Sequence, residues 1–292
     1  MSVFRALLRR GGKGSAVSAL FAAIVWALAA GAAADRFQFA ILGDRTGEAQ
    51  PGVYEQVWKE AAAGNPAFVI NSGDSIEGAD DSKAEEQWKE VQQTWERYRR
   101  FPLYLVPGNH DIWSAASEQL FRKYAAHPPR YSFDYEQVHI AVLDNSRSDD
   151  LSAGDLDFLA RDLKAHAAAP VKLIFSHRPS WLLNVGFRNT DFPLHRLARQ
   201  FGVQYVVAGH IHQLLRFELE GVTYLSMPSS GGHLRLSHAY EDGWFFGHAS
   251  ASVSGREIDL RIHESGPPNG QGRITKPADW GITGLVDRPK AK

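Results

Sequence analysis

The chain has 292 residues, which is long enough for one large domain or two small ones. Its 32 basic and 33 acidic side chains give a formal net charge of −1. Because the sequence contains no cysteine, disulfide bonds and thiolate metal sites are excluded.

The first 34 residues have the pattern of a secretory signal peptide. Four basic residues lie within the first 13, an apolar run covers residues 16–30, and alanines occupy residues 32–34. The run is shorter than the ~20 residues of a membrane-spanning helix. We therefore predict cleavage and export to the periplasm or the exterior, with no stable membrane span afterwards; an uncleaved anchor is the open alternative.

The predicted mature chain is mildly acidic. Four of the 32 basic and none of the 33 acidic residues lie in the segment 1–34, so 28 basic and 33 acidic residues remain, a charge of −5. Binding to duplex nucleic acid requires a basic face. A duplex nucleic-acid partner is therefore not expected.

Five apolar runs predict the buried strands of an α/β fold. They cover residues 37–42, 67–71, 103–107, 171–175 and 203–208, and helices are predicted at 51–64, 81–100, 151–169 and 190–201. In the second helix, Trp88, Val91 and Trp95 recur at the spacing of one helix face. Ser152 is a candidate N-cap for the third helix.

Three pairs of alternating segments predict β-hairpins. They are residues 130–135 with 139–143, 214–219 with 222–227, and 244–253 with 257–262. Together with the helices they predict a four-layer αββα sandwich of two mixed β-sheets over residues 35–265. Residues 266–292 hold four of the 14 prolines, with several glycines and lysines, and are predicted to be a disordered tail.

Each of the five predicted strands is followed directly by a short polar cluster. In chain order these clusters are Gly43-Asp44-Arg45-Thr46, Gly73-Asp74-Ser75-Ile76-Glu77, Gly108-Asn109-His110-Asp111, Ser176-His177-Arg178 and Gly209-His210-Ile211-His212. Open α/β sheets place their ligands at the carboxyl ends of strands. Each cluster alone occurs in ordinary turns, but all five in this order favour a metal site.

The residue types in these clusters suit a divalent ion. Two carboxylates in one crevice repel each other unless a cation lies between them. Carboxylate, amide and imidazole ligands together suit manganese, iron or zinc. The candidate metal ligands are Asp44, Asp74, Asn109, His177, His210 and His212.

Three further residues are candidate catalytic groups. His110 follows Asn109 directly and should point in another direction, where it could donate a proton to a leaving group. Glu77 could accept a hydrogen bond from that imidazole and orient it. Arg45 could clamp a phosphate or pair with a surface acid.

Several remaining histidines are less clear. His233 follows Ser229-Ser230-Gly231-Gly232, a loop that could reach the site. Core or surface positions are predicted for His139, His166, His195, His238 and His248.

The five clusters resemble the motifs of the calcineurin-like metallophosphoesterase family over residues 37–227. That family carries Asp-x-His, Gly-Asp, Gly-Asn-His-Asp/Glu, a lone His and Gly-His-x-His, in this order. The resemblance implies a binuclear centre in which Asp44 and His212 hold one ion and Asp74 bridges to the other. It further implies that Asn109, His177 and His210 hold the second ion, and that His110 is a proton donor oriented by Glu77.

The chain departs from the family pattern at two places. Thr46 stands where the family has a histidine, so the first ion is expected to bind weakly unless Thr46, a water or Glu48 fills the gap. Glu77-Gly78-Ala79 replaces the Asp-Arg-Gly of the protein-phosphatase branch, which argues against phosphoprotein substrates.

The predicted function is a metal-dependent phosphoesterase that hydrolyses a small-molecule phosphate mono- or diester. Attack by a metal-bridging hydroxide is the expected mechanism, with two divalent ions as cofactors. The alternative is a non-catalytic or weakly catalytic phosphate-ester binding protein on the same fold. A third interpretation is an adaptor held at the membrane by an uncleaved N-terminal helix.

Overall fold

Two six-stranded mixed β-sheets lie at the centre of the fold, in a computed structural model that describes residues 36–280. The first sheet has the spatial order β12 (Ile274–Thr275), β11 (Glu257–Glu264), β10 (Gly247–Ser254), β1 (Arg36–Leu42), β2 (Val69–Asn71) and β3 (Leu103–Leu105). The second has the order β4 (Tyr131–Tyr135), β5 (Val138–Val142), β6 (Val171–Phe175), β7 (Tyr205–Ala208), β9 (Val222–Ser226) and β8 (Leu215–Leu219). Strands β1–β3 run parallel, as do β5, β6, β7 and β9, so the carboxyl ends within each set share one edge.

Helices cover the outer face of each sheet. Those within the described residues are α1 (Val53–Ala63), α2 (Asp81–Arg97), α3 (Ala115–Ala125), α4 (Ala153–Ala165), α5 (Leu182–Gly186) and α6 (Pro193–Gln200). The apolar residues of α1–α3 pack on the first sheet, and those of α4–α6 pack on the second. The predicted four-layer αββα sandwich is confirmed.

Strand β1 is apolar on both of its faces because it lies between two layers. Phe39 and Ile41 pack into the core between the sheets, whereas Ala40 and Leu42 pack against the helices. Successive side chains of a strand point to opposite faces, so a strand covered on both sides is a continuous apolar run. This burial makes the strand ends, rather than the strands, the place for polar groups.

Local sequence signals fix several element boundaries. Ser152 caps α4 as predicted, because its hydroxyl accepts a hydrogen bond from the Asp155 N–H while the Asp155 carboxylate accepts from the Ser152 N–H. The three predicted hairpins are confirmed as β4–β5, β8–β9 and β10–β11. Helix α3 was not predicted. Ser114 is its N-cap, with Ser117 in the third helical position, and a serine pair is a weaker start signal than serine with a carboxylate.

The prediction of a disordered tail from residue 266 is wrong for the part of the tail that the structure describes. β12 pairs with the edge strand β11, and Trp280 is only 4% exposed. Its indole N–H donates to Thr275 Oγ1 at 3.0 Å, and its ring packs against Phe245. An open sheet edge offers unpaired backbone groups to any nearby segment, and composition alone does not reveal the single aromatic anchor.

The predicted signal peptide at residues 1–34 and the tail residues 281–292 lie outside the described residues, and export stays a prediction. Between residues 36 and 280, no helix combines the length and apolar character needed to span a bilayer.

Candidate metal centre

The five polar clusters meet where the parallel strands of the two sheets end. Asp44, Asp74 and the Asn109 cluster follow β1, β2 and β3, whereas the histidines follow β6 and β7 of the other sheet. Hydrogen bonds connect the two sheets at this point. His177 Nδ1 lies 2.9 Å from the Ser72 carbonyl oxygen, and the His210 N–H donates to Asp44 Oδ2 at 2.8 Å.

All six predicted metal ligands lie in this one cluster. His177 Nε2 is 3.1 Å from Asp74 Oδ2 and 3.2 Å from Asn109 Oδ1. Asp74, His177 and His210 each offer a ligand atom, and these atoms lie within 4.8 Å of one another. The predicted partners Asp44 and His212 are also adjacent, because His212 Nε2 lies 3.2 Å from Asp44 Oδ2.

The imidazoles are held as metal-binding histidines usually are. His177 donates its Nδ1 proton to the Ser72 carbonyl, and His212 donates its own to the His233 carbonyl at 2.8 Å. The Nε2 atom of each ring then faces the carboxylates. Metal-binding histidines commonly have their other ring nitrogen hydrogen-bonded to a carbonyl oxygen in this way. His210 Nδ1 is buried without a hydrogen-bond partner in residues 36–280, and His212 Nε2 is buried with only the Asp44 carboxylate beside it. Buried nitrogens without partners beside buried carboxylates fit a cation.

The backbone at the centre is in unfavourable conformations. Asp74, His210 and His212 have φ angles of +54°, +71° and +59°, a region that residues with a Cβ seldom occupy. Such conformations cost of order 1–3 kcal/mol each and cluster at functional sites. Gly209 allows the close approach, because a Cβ there would lie 2.3 Å from Asp44 Oδ1. The fold therefore sacrifices some stability to aim these side chains inward.

Electrostatics couple the buried groups. Burial alone would lower the pKa of His177, but the Asp74 carboxylate outweighs burial and raises this pKa to about 9. Burial raises the pKa of Asp74, yet the charge of His177 outweighs it and holds this pKa far below its usual range. Burial, reinforced by the neighbouring His177, lowers the pKa of His210 to about 4. The carboxylates thus create a strongly negative field that attracts positive charge.

His110 lies beside the centre, and Glu77 orients it by a different group from the one predicted. The His110 N–H donates to Asp74 Oδ1 at 2.8 Å, and its ring Nε2 lies 4.0 Å from Asp74 Oδ2. The ring Nδ1 bonds to the main-chain carbonyl oxygen of Glu77, not to its carboxylate. That carboxylate instead accepts hydrogen bonds from the N–H groups of Ala49 and Glu48, at 2.8 and 3.3 Å. The Glu77 carboxylate lies near the loop after β1, so the backbone N–H groups of Ala49 and Glu48 are its hydrogen-bond donors instead of the His110 imidazole.

The predicted phosphate clamp at Arg45 is not supported. The guanidinium lies 2.6 Å from Glu90 Oε1 and donates to the Ser75 carbonyl oxygen at 3.2 Å. It also lies over the Tyr54 ring, at 5.8 Å from the ring centroid. These contacts neutralise the Arg45 charge on the side of the first sheet that the helices cover. Successive side chains of an extended chain point in opposite directions, so Arg45 points away from its neighbour Asp44.

Neither Thr46 nor Glu48 takes the place of the absent histidine. Thr46 is fully buried, and its hydroxyl contacts the Gly47 N–H and the Glu77 carboxylate. The Glu48 side chain is 80% exposed, and its carboxylate lies 3.9 Å from His233 Nδ1.

Sequence reasoning missed two supporting residues. The buried Asp111 carboxylate accepts the N–H groups of Ser75 and Gly108, at 2.7 and 2.9 Å, and so connects two ligand loops. Burial, with the charge of Asp74, raises the Asp111 pKa to about 7. Asn71 connects Gly43 and Gly73 through its amide. Asp111 was visible as the fourth residue of its motif, whereas Asn71 ends an apolar strand and carries no local signal.

Comparison with known proteins assigns this cluster to a family. A model of the calcineurin-like phosphoesterases matches residues 37–214. The chain belongs to the calcineurin-like phosphoesterase family. Such a phosphoesterase typically holds a dimetal centre, and the cluster of Asp74, His177 and His210 is a candidate for it.

Relatives of the chain include phosphodiesterases and phosphatases. The chain is 31% identical over 140 residues to the 3',5'-cyclic adenosine monophosphate phosphodiesterase CpdA of Escherichia coli (strain K12), covering 45% of this chain and 50% of that one. It is 24% identical over 188 residues to purple acid phosphatase 15 of Arabidopsis thaliana, covering 52% and 35%. It therefore spans at most about half the length of these curated relatives.

A solved relative shares the fold. Purple acid phosphatase PPD1 from yellow lupin (Lupinus luteus) seeds superposes with a TM-score of 0.62 at 15% identity, covering 83% of this chain and 53% of the other. At this identity the likeness shows the fold alone.

Proposed function

We propose that this protein is a metal-dependent hydrolase of a small-molecule phosphate ester. The observation that carries the proposal is the cluster of two buried carboxylates and three imidazoles, two of them fixed through Nδ1, at the meeting point of both sheets. Phosphate esters are unreactive dianions or monoanions, and a site with this donor set suits a pair of divalent ions that could promote their hydrolysis.

The ligand distances support a specific assignment. Asp44 with His212 would hold one ion, and Asn109, His177 and His210 the other, because these groups are already neighbours. Asp74 would serve both ions from its central position. When bound, such ions supply Lewis-acid activation of the ester and of water.

His110 would donate a proton to the leaving oxygen. Its ring is 29% exposed, so a substrate can reach it, and its Nδ1 is fixed on the Glu77 carbonyl. With Nδ1–H donated to that carbonyl, Nε2 is the nitrogen that would carry the transferred proton. A group held 4.0 Å from Asp74 Oδ2 can protonate a departing alkoxide without being a metal ligand itself.

A phosphodiester is the first substrate class to test, because one relative is named as a cyclic nucleotide phosphodiesterase. The experiment measures hydrolysis of 3′,5′-cyclic AMP, bis-p-nitrophenyl phosphate and p-nitrophenyl phosphate by the purified chain with manganese. Activity should require metal and disappear in the Asp74→Asn variant. Turnover that survives exhaustive chelation would remove the metal mechanism, and binding of these esters without turnover would favour the phosphate-ester binding protein.

A further inference from the structure

The proposed first ion lacks a protein ligand at position 46. Thr46 occupies this position, and its hydroxyl already contacts the Gly47 N–H and the Glu77 carboxylate. Asp44, His212 and the shared Asp74 would therefore be the only protein ligands of this ion among those already assigned. Borderline divalent ions gain much of their affinity from imidazole. A further imidazole in the gap that Thr46 leaves at position 46 would therefore strengthen the binding of the first ion.

A loop from β9 runs directly along the gap. The Ser230 N–H donates to the Asp44 carbonyl oxygen at 2.9 Å, and the His233 N–H donates to the Gly47 carbonyl oxygen at 3.1 Å. Gly232 allows this approach, because a Cβ there would lie 2.0 Å from the Thr46 carbonyl oxygen and 2.5 Å from His212 Cε1. The loop thus contacts the segment that should have carried the histidine.

His233 contacts both sides of the gap. Its N–H bonds to Gly47, and its carbonyl oxygen accepts the Nδ1 proton of His212 at 2.8 Å. These two bonds place His233 against both the loop after Asp44 and the proposed ligand His212. Only the direction of its imidazole then decides whether it can bind.

The His233 ring is held in the same way as the two anchored ligands. Its Nδ1 donates to the Gly47 carbonyl oxygen at 3.0 Å, as those of His177 and His212 donate to carbonyls. Its Nε2 has no hydrogen bond within residues 36–280. The His233 and His212 ring centroids are 6.3 Å apart. Two imidazoles on opposite sides of one ion have centroids ~6.5 Å apart, given metal–nitrogen bonds of about 2.1 Å, so one ion fits between these rings when both Nε2 atoms face it from nearly opposite sides.

We propose that His233 supplies to the first ion the imidazole that position 46 lacks. This inference rests on the proposed two-ion centre. The first site is then a full-strength site for manganese, iron or zinc, in contrast to the weak site that Thr46 alone implies. Glu48 is neither a ligand nor a hydrogen-bond partner of that imidazole, because its side chain is 80% exposed and its carboxylate lies 3.9 Å from His233 Nδ1.

Metal titration of four variants tests the inference. The chain is stripped with a chelator, and Mn2+ binding is then followed by electron paramagnetic resonance and by elemental analysis after equilibrium dialysis. His233→Ala should weaken one of two sites by at least about tenfold, since even the loss of an outer partner costs 10–100-fold. His238→Ala, an exposed histidine in the same segment, and Glu48→Gln should each bind both ions as the unmodified chain does.

Rescue separates a ligand from a structural residue. In the double variant His233→Ala with Thr46→His, the family's own imidazole should restore the lost site. Thermal unfolding of the stripped variants reports any general damage. Unchanged binding in His233→Ala, loss in Glu48→Gln instead, or failure of Thr46→His to restore a folded His233→Ala chain overturns the inference.

The same titration separates this inference from the proposed function. An unmodified chain that binds two ions, with a His233→Ala chain that binds them equally well, overturns only the role of His233. An unmodified chain that binds none removes the two-ion centre, and the inference falls with it.

Discussion

The Asp74 carboxylate contacts residues that follow strands of both sheets. Its carboxylate lies 3.1 Å from His177 Nε2, accepts the His110 N–H, and is 1% exposed. A buried carboxylate in contact with groups from both sheets holds the site together only while a positive charge balances it. Its left-handed backbone adds a conformational cost that the surrounding contacts must offset.

At the residue scale, Asp74→Asn should remove bound metal, whereas His110→Ala should not. Asparagine keeps the shape of the side chain but removes the charge that would offset two cations. His110→Ala removes a proton donor and should slow turnover by about 10²–10⁴-fold with metal content nearly intact. Elemental analysis alongside kinetics measures both effects.

Leaving-group dependence is the control for His110. The slowing in His110→Ala should shrink for nitrophenyl esters, because nitrophenolate departs without protonation. Equal metal loss in the Asp74→Asn and His110→Ala variants would show that the ligand assignment is wrong.

Arg45 should matter for stability more than for substrate binding. Its guanidinium contacts Glu90, the Ser75 carbonyl and the Tyr54 ring. We expect Arg45→Ala to lower the free energy of unfolding by about 1–2 kcal/mol, since Glu90 is mostly exposed and its ion pair is screened. KM should change less than threefold, and Glu90→Gln should reproduce part of the stability loss. A large rise in KM at unchanged stability would restore the phosphate-clamp hypothesis.

At the scale of elements, a second histidine cluster connects β4, β5 and α4. His139 Nδ1 lies 2.7 Å from Asp134 Oδ1, and its Nε2 lies 2.7 Å from Asp162 Oδ2. The His166 ring stacks on His139 at 3.9 Å, with 12° between their planes. The lone pairs of stacked parallel rings cannot converge on one ion, so we interpret this group as an ion-paired structural cluster and not as a metal site.

This cluster should make stability depend on pH. Burial lowers the pKa of His139, but the hydrogen bonds to Asp162 and Asp134 outweigh it and leave this pKa raised. Its stabilisation is therefore present below the unfolded pKa of ~6.5 and lost as pH rises through the folded value. Burial raises the pKa of Asp162, but the bonds from His139 and Ser132 outweigh it and leave that pKa lowered. Its contribution is therefore lost as pH falls below ~3.9.

The measurement is the difference in unfolding free energy between the unmodified chain and His139→Gln, taken by urea titration with chelator present. This difference should be largest between about pH 4 and 6.5 and should decrease from pH 6.5 to 9. His238→Ala, which removes an exposed histidine outside this cluster, is the control variant. A His139→Gln difference that grows with pH would contradict the charged cluster.

The sequence predicted the elements of the site better than the directions of its side chains. The ligand clusters were recognisable because each follows a buried apolar strand, and strand ends are fixed by the sheet topology. The contacts of Arg45 and of the Glu77 carboxylate were not predictable, because they depend on α2 and on the loop after β1, which lie far away in sequence. The supporting role of Asn71 was hidden for the same reason.

At the scale of the whole molecule, the domain extends beyond the predicted boundary at residue 265. Composition suggested a disordered tail, since this segment holds four prolines with several glycines and lysines. Yet β12 pairs with β11 and Trp280 packs against Tyr240 and Phe245. One buried aromatic residue can outweigh a polar composition, because an indole buries a large apolar area.

Residues 266–280 should therefore contribute measurably to the stability of the whole domain. We expect Trp280→Ala to lower the free energy of unfolding by about 3–5 kcal/mol, the usual cost of removing a buried tryptophan. Trp280→Phe is the matched control, because it keeps an aromatic ring but loses the indole N–H bond to Thr275 Oγ1 and part of the buried ring volume. Its free energy of unfolding should fall by less than that of Trp280→Ala. Both variants should bind metal like the unmodified chain, since the centre lies at the carboxyl ends of β1–β3, whereas Trp280 packs in the core between the sheets against Tyr240 and Phe245. Urea unfolding checks the expectation, and a Trp280→Ala chain as stable as the unmodified one would return the boundary to residue 265.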